Sequence, residues 1–359
     1  MRTLPAEILS LTGSPAARGR AQSSLASPDA GAVREVVETR LAAAAAVLDT
    51  PAAAAFLARQ TDFARRRCEP EMAEIDGVAE GFGLAPDRLF ALLNLSVLSG
   101  RYEVDGCTAW ARPLAGGGAV LVKNRDLTGP HRSFQALFRH DDPASPVGPV
   151  LAVGTLGAPG VYSSGVNAAG LALADTAISA ARHRVGWLRY LLMTRLLFTC
   201  SSVAEAIDTV RSVRHTGGGS LILADADGAV ASVELLPEGP RVDTTAPAFR
   251  TNHFLGEPLE ATATRITPAA LVSTTGRRRR LAADLDAGLG LGGLDAIAAA
   301  MASHGEDGLC RHGEGDGSHT VSCALYATAD RGLFFARGNP CEAQWETARI
   351  APDAPEVSS

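Results

Sequence analysis

The chain lacks an excess of positive charge, a regular cysteine framework and any long unbroken apolar run. Each absence removes a class of protein. Its 359 residues carry a formal net charge of −6, so neither nucleic acid nor an anionic membrane is expected as a partner. The one basic run, Arg277-Arg278-Arg279-Arg280, is short and falls in a predicted helix, where a solvated face is the ordinary reading. Six cysteines, at Cys68, Cys107, Cys200, Cys310, Cys323 and Cys341, follow no regular spacing, which argues for reduced thiols rather than a disulfide scaffold. The N-terminus has no apolar core of a secretory signal. The Ala-rich stretch from Leu41 to Leu57 is broken by Asp49 and Pro51, so it is too short to cross a bilayer. A soluble, cytoplasmic protein is the expectation. Aromatics are scarce, no internal repeat is found, and neither fact narrows the choice of ligand.

What is present is a hydrophobic fraction of 46%, enough for one large domain or two small ones. Residues from about Ala32 to Leu98 read as helices, with Val33, Val36, Val37, Leu41 and Leu48 at near-helical spacing. Asp49-Thr50 is a candidate cap, and Pro51 suits the first turn of the next helix. Ala73–Gly83 is a helical segment closed by glycine, and Pro86-Asp87 opens another. From Thr108 the texture changes to short apolar runs between glycines and prolines: Ala119–Val122, Phe134–Phe138, Val150–Val153, Val161–Val166 and Leu171–Ala174. These predict strands joined by tight turns. Helices are predicted over Trp187–Phe198, Val203–Val213, Pro268–Leu285 and Leu294–Ala302. Ser220–Leu223 and Ala229–Leu235 flank an Asp225-Ala226-Asp227-Gly228 hairpin turn. The last strands are Val321–Ala327 and Gly332–Ala336, and residues 350–359 read as a frayed tail. Blocks of strands separated by blocks of helices predict an α+β fold.

The chemistry centres on Asp105-Gly106-Cys107-Thr108-Ala109-Trp110, where the helical segment gives way to strands. A cysteine is a strong nucleophile, and the glycine before it tolerates strained backbone geometry. Attack of Cys107 on the Gly106 carbonyl would cut the chain and leave Cys107 as a new N-terminus. Its α-amine, with a pKa of roughly 7.7–8.0, could then act as a general base near neutral pH. The alternative for a free cysteine is a buried structural one, which suits Cys68, Cys200 and Cys323.

Gly106-Cys107-Thr108 resembles the processing site of the isopenicillin N acyltransferase family, which are autoproteolytic N-terminal-nucleophile (Ntn) hydrolases with a cysteine nucleophile. The resemblance runs from about Gly13 to about Cys341. It implies a four-layer αββα sandwich. It also implies a small chain of residues 1–106 that stays bound to a catalytic chain beginning at Cys107 and running to about residue 349. Asn124-Arg125-Asp126 matches the family's Asn-x-Asp element, so Asp126 would orient the Cys107 amine, with Asn124 in support. Arg125 stands where some relatives carry an aromatic, which would reshape the substrate pocket. Gly165-Val166-Asn167-Ala168-Ala169-Gly170-Leu171 resembles a family turn, and Asn167 either lines the oxyanion site or simply shapes the hairpin. Asn252, in Thr251-Asn252-His253-Phe254, falls where the family places its oxyanion-hole amide. His253 would support rather than act as base, and Thr108 either hydrogen-bonds near the scissile carbonyl or is an ordinary strand residue. Ser273-Thr274-Thr275-Gly276-Arg277 resembles a Ser-x-x-x-Arg element. One arginine there would pair with Asp126 and lower the thiol pKa. Arg277 is the first choice and Arg280, three residues on, the second.

The implied activity is hydrolysis or transfer of an acyl group from a small amide or acyl thioester through a Cys107 acyl-enzyme. A coenzyme A thioester is a conceivable donor, and no other cofactor is expected. Cys310, His312, His319 and Cys323 could in principle hold zinc, but their spacing matches no recognised ligand pattern and no metal is expected. The rival to catalysis is an unprocessed binding protein on the same fold, with an intact chain and an inert Cys107.

Overall fold

The computed structural model describes residues 3–25, 30–99, 106–178, 180–255, 266–313 and 317–350. Glu103 and Asp105, just before the Gly-Cys bond, lie outside the described residues, as does the tail. Two short strands, β1 (Leu4–Pro5) and β2 (Leu9–Thr12), come first. Then follow α1 (Pro15–Leu25), α2 (Ala30–Ala43), α3 (Ala45–Leu48), α4 (Pro51–Arg67), α5 (Glu69–Phe82), α6 (Pro86–Leu93) and α7 (Leu95–Ser99). Beyond Cys107 come β3 (Thr108–Pro113), β4 (Ala119–Leu127), β5 (Gln135–Asp141), β6 (Val150–Thr155), β7 (Ser164–Asn167) and β8 (Ala172–Thr176). After α8 (Arg189–Thr199) and α9 (Val203–Ser212) the chain forms β9 (Ser220–Ala224), β10 (Val230–Leu236), β11 (Gly239–Asp243) and β12 (Ala248–Arg250). It closes with α10 (Pro268–Asp286), α11 (Leu294–Met301), β13 (His319–Ala327), β14 (Gly332–Arg337) and β15 (Trp345–Arg349).

Local chemistry accounts for many of the boundaries. Thr50 caps α4 by accepting a hydrogen bond from the Ala53 amide, with Pro51 in the first turn. Gly83 ends α5 in the left-handed conformation, at φ 67°. Asp225 Oδ1 accepts from the Asp227 and Ala229 amides to shape the β9–β10 hairpin.

The strands form a seven-stranded sheet, in the order β1-β15-β14-β13-β4-β3-β12, and an eight-stranded sheet, in the order β11-β10-β9-β8-β7-β6-β5-β2. Their facing sides share one apolar core. Ala109, Ala111, Leu121 and Tyr326 of the first meet Leu151, Val166, Ala172 and Ile222 of the second. The outer face of the eight-stranded sheet packs Leu173, Leu221 and Val233 against Ile75, Phe90, Leu192 and Leu197 of the helices. The outer face of the seven-stranded sheet packs Trp110, Val122 and Leu325 against Leu281, Leu285 and Met301 of α10 and α11. Helix, sheet, sheet and helix therefore stack as the αββα sandwich.

The segment before Cys107 is not purely helical. β1 pairs in parallel with β15 and β2 with β5, so this segment supplies an edge strand to each sheet. α1 also crosses α5 at very short range. A Cβ on Gly19 would lie 2.3 Å from the Glu74 carbonyl oxygen, and one on Gly77 would lie 2.1 Å from that of Ala16. Only glycine permits that approach.

Candidate active site

Cys107 stands one residue before β3, buried between the layers at 5% exposure. β3 and β4 are antiparallel neighbours, with Thr108 opposite Asn124 and Ala109 opposite Lys123. Side chains alternate along a strand, so Ala109 and Lys123 face the other sheet while Thr108 and Asn124 face the α10–α11 layer. The site is therefore assembled on both faces of the β3–β4 ladder.

On the helix side, α10 carries Arg277 inward, fully buried. Its Nη1 donates to the Cys107 carbonyl at 2.8 Å and to Thr108 Oγ1 at 2.9 Å, and its Nη2 donates to Asn252 Oδ1 at 2.8 Å. One guanidinium thus ties together Cys107, Thr108 and Asn252. Asn252 is further held by donation from its Nδ2 to the Ala177 carbonyl at 3.0 Å and from its backbone N–H to Thr274 Oγ1 at 2.7 Å. Gly106 is enclosed by charge. A Cβ built there would sit 3.2 Å from Arg277 Nη2 and 3.4 Å from both Arg311 Nη1 and Asp126 Oδ2. The Asp126 carboxylate therefore lies beside the Gly-Cys bond, and its Oδ1 accepts from Thr320 Oγ1 at 2.7 Å.

Several expected roles are corrected. Arg277 bonds to Cys107, Thr108 and Asn252 and not to Asp126. Arg280 does not share the inward face; it is 38% exposed and pairs with Asp284 one turn on. At 100° per residue a three-residue step rotates the side chain by about 60°, enough to carry it out of a narrow contact. Asn124 is not aimed at the thiol. Its Nδ2 donates to the carbonyls of Met301 and Leu309 and holds the chain after α11. Asn167 is the hairpin residue of the two readings. Its Nδ2 donates to the carbonyls of Leu197 and Cys200 at the end of α8, and its Oδ1 accepts from the Leu171 amide. It points to the outer face, at the end of the β7–β8 hairpin away from Asp175. His253 Nδ1 lies 3.0 Å from Thr274 Oγ1, and burial, with Arg278, Arg277 and Arg250 nearby, lowers its pKa to about 4. A neutral, tethered ring suits a supporting role. Arg125 is buried and donates to the Gly154 carbonyl and Thr155 Oγ1 of the opposite sheet.

On the inter-sheet side the structure adds residues that the sequence reasoning missed. Lys123 Nζ pairs with Asp175 Oδ1, and Arg189 Nε donates to Asp175 Oδ2 at 2.7 Å. Burial alone would raise Asp175, but Lys123 and Arg189 outweigh it and hold the carboxyl below its ordinary value. The same cluster acts on Cys107. Burial pushes its thiol up, Lys123 opposes the rise, and Asp175 and Asp126 add to it. Lys123 is thus a cation that favours the thiolate, and it does not overcome burial. A signal was available, because Lys123 is the single lysine among 33 basic residues. Arg311 is the other addition. It donates to Ser273 Oγ and lines, with Arg277, Ser273, Val272 and Cys310, a cavity of about 480 Å³ next to Gly106. Of the four residues weighed for zinc, Cys310 and His312 come together with His304 and Cys341, whereas His319 begins β13 with its ring against Gly313 and Cys323 is buried in the β13 core.

A four-layer sandwich with a cysteine at the head of an inner strand, braced by an arginine and an asparagine, has the frame of an Ntn-type acyl-transfer protein. The sequence bears this out, for residues 114–342 match the model of the acyl-coenzyme A:6-aminopenicillanic acid acyl-transferase family, about two thirds of the chain, and the protein belongs to that family. Its kind of function is that of an Ntn hydrolase or acyltransferase. The matched segment starts after Cys107.

Solved structures give more distant likenesses. A mutant form of conjugated bile acid hydrolase from Clostridium perfringens is 13% identical, covering 68% of this chain and 97% of its own, with a TM-score of 0.44. Penicillin V acylase from Agrobacterium tumefaciens is 15% identical over 64% of this chain and 83% of its own, with a TM-score of 0.45. The Caenorhabditis elegans ortholog of N-acylethanolamine-hydrolyzing acid amidase is 10% identical over 68% of this chain and 100% of its own, with a TM-score of 0.41. No curated protein sequence matches the chain. Among the described residues no helix is long and apolar enough to cross a membrane.

Proposed function

We propose that the protein cuts itself between Gly106 and Cys107 and then works as a cysteine amidohydrolase or acyltransferase. The observation that carries this reading is the Arg277 guanidinium, which bridges the Cys107 carbonyl, Thr108 and Asn252 in a buried site. In the first step Cys107 Sγ attacks the Gly106 carbonyl carbon. The Gly106–Cys107 C–N bond breaks, the thiol proton passes to the departing nitrogen, and a Gly106 thioester forms. Water then hydrolyses the thioester, freeing the Gly106 carboxylate and the Cys107 thiol and amine. Arg277 holds the residue after the scissile bond still, and the Asp126 carboxylate lies within reach of the new ammonium. Because burial keeps the uncut thiol protonated, its proton must move as the bond breaks, and the departing nitrogen takes it. After cleavage that nitrogen is the α-amine of Cys107, which serves as the base for later turnovers.

In the mature enzyme Cys107 attacks an amide or acyl-thioester carbonyl, and its amine shuttles the proton to the leaving group. Asn252 Nδ2 donates to the developing oxyanion, a kind of contact worth about 2.7–4 kcal/mol when removed elsewhere. Water or an amine then takes the acyl group, and the small N-terminal chain remains bound to the large one. The test is the denatured intact mass of fresh protein beside Cys107→Ala. Two fragments divided before Cys107 in the wild type, with one full-length species in the variant, are expected. An uncut wild type after long incubation would remove the amine that this mechanism needs and leave a binding protein on the same fold.

A further inference from the structure

Four side chains from three stretches converge beside the α10–α11 layer. His304 follows α11, Cys310 and His312 lie on the segment leading into β13, and Cys341 follows β14. Their ligating atoms all lie within 4.8 Å of one another. His304 Nε2 and His312 Nε2 are 3.2 Å apart, and His312 Nε2 lies 3.2 Å from Cys341 Sγ. The two sulfurs are 3.6 Å apart, and Cys310 Sγ is 3.7 Å from His312 Nε2. A tetrahedral zinc ion, with Zn–N of about 2.05 Å and Zn–S of about 2.3 Å, requires edges of about 3.3 Å for N–N, 3.6 Å for N–S and 3.8 Å for S–S. Four edges of this group already stand near those lengths.

Hydrogen bonding alone does not explain the cluster. An imidazole nitrogen carries one proton or one lone pair, yet His312 Nε2 has three heteroatoms around it. Both cysteines are free. The surroundings suit a metal thiolate, because Asn339 Nδ2 donates to Cys310 Sγ at 3.4 Å and to the Arg311 carbonyl at 2.7 Å. Glu342 Oε1 stands 3.9 Å from His312 Nδ1, the ring nitrogen turned away from the cluster.

We propose that His304, Cys310, His312 and Cys341 bind one Zn²⁺ in a closed, structural site. Two thiol protons leave to solvent as the ion enters. Four protein ligands leave no open position for substrate, so the ion serves as a fastener. It ties the segment bearing Gly305, Gly308 and Arg311, which walls the cavity beside Arg277, to the chain after β14. Asn124 grips the same segment from the sheet side at the Leu309 carbonyl. The proposal is independent of self-cleavage.

The test uses the full chain, purified in reducing buffer without chelator. Elemental analysis and native mass spectrometry should give about one zinc per chain, against less than about a tenth in His304→Ala and Cys341→Ser. Since either variant could misfold, the wild type is also loaded with Co²⁺. Tetrahedral d–d bands with thiolate-to-cobalt charge transfer are expected, and alkylation of Cys341 should slow at least about tenfold with zinc present. A wild type that takes up neither zinc nor cobalt, an octahedral cobalt spectrum, or a mass showing Cys310 bonded to Cys341 in reducing buffer would overturn the proposal.

Discussion

The two helical layers are fastened to their sheets by different means. Over the eight-stranded sheet the contact is broad and apolar, with Ile75, Val78, Leu192, Leu196, Leu221 and Val233 fully buried. Its buried charges include a set in which Arg18 bonds to Glu74, Asp142 and the Gly13 carbonyl, and pairs that join α8 to its neighbours, Arg195 with Glu71 and Arg189 with Asp175. Over the seven-stranded sheet the described layer is α10 and α11, and long polar side chains cross the interface. Arg112 reaches the carbonyls of Leu285 and Leu289 at the end of α10, Asn124 reaches Met301 and Leu309, and Arg277 reaches back to Cys107. Apolar burial is non-directional, whereas a hydrogen bond sets a distance and an angle. The thin layer can therefore fix individual groups beside the Gly-Cys bond, and the thick one mainly supplies stability.

That contrast can be broken by substitutions in each layer. Arg18→Met leaves Glu74 buried without its cation and should cost about 3–5 kcal/mol in denaturant unfolding. The cleaved fraction of the folded protein should not change, and a loss of cleavage would show the layers to be coupled. In the thin layer, Asn252→Ala should lower turnover of an amide or thioester substrate by about 10²–10³-fold, and, by leaving Arg277 and the Ala177 carbonyl short of a partner, should cost about 1–3 kcal/mol in unfolding. Unchanged turnover in the folded variant would make Asn252 a structural residue like Asn124.

Each layer also holds a histidine that burial makes sensitive to acid. His140 is fully buried between Phe138 and Phe198, and burial, with Arg18 nearby, lowers its pKa from 6.5 to about 3. The unfolded chain takes up this proton below about pH 6.5 and the folded chain does not. The stabilising contribution is thus present above that pH and is lost progressively toward pH 3. His140→Phe should flatten this part of the acid profile, measured by unfolding between pH 7.5 and 4. His253 carries a similar sensitivity down to about pH 4 and should persist in that variant. The smallest effect belongs to Arg280→Ala, where loss of an exposed pair one turn apart should cost about 0.3–0.5 kcal/mol and leave cleavage intact. A cleavage defect there would mean that the arginine run acts as a unit.

Most strands and helices were legible because they carry their own periodicity. The Ala119–Val122 run marks β4, and Pro268–Leu285 comes within a residue of α10. The misses have a common cause. The apolar part of β4 stops at Val122, but the strand continues through Lys123, Asn124, Arg125 and Asp126, whose polar groups find distant partners: in the opposite sheet for Lys123 and Arg125, in and just after α11 for Asn124, and on the neighbouring strand β13 for Asp126. β1 and β2 are short and lean on distant strands, so nothing local distinguishes them. α1 buries Arg18, Gly19 and Gln22, a face that reads as exposed in sequence. Cys107, Thr108, Asn252 and Arg277 were named from the resemblance and lie together. Lys123 was overlooked because charge within an apolar strand reads as its end. Only half of the His304, Cys310, His312 and Cys341 cluster is legible as a ligand group, because Cys341 lies 29 residues beyond His312 and is brought back by the β13–β14 hairpin.

The placement of β1 and β2 bears on what a cut at Gly106 would leave behind. Each is the outermost strand of a different sheet, so one short peptide covers the margin of both. Were it stripped away, β15 and β5 would present bare backbone donors and acceptors, an invitation to stack with other copies. A large chain made alone should therefore precipitate or pair edge to edge, and recovery of soluble enzyme should depend on synthesis as a single precursor. In that sense the leading segment is a built-in chaperone that is never discharged.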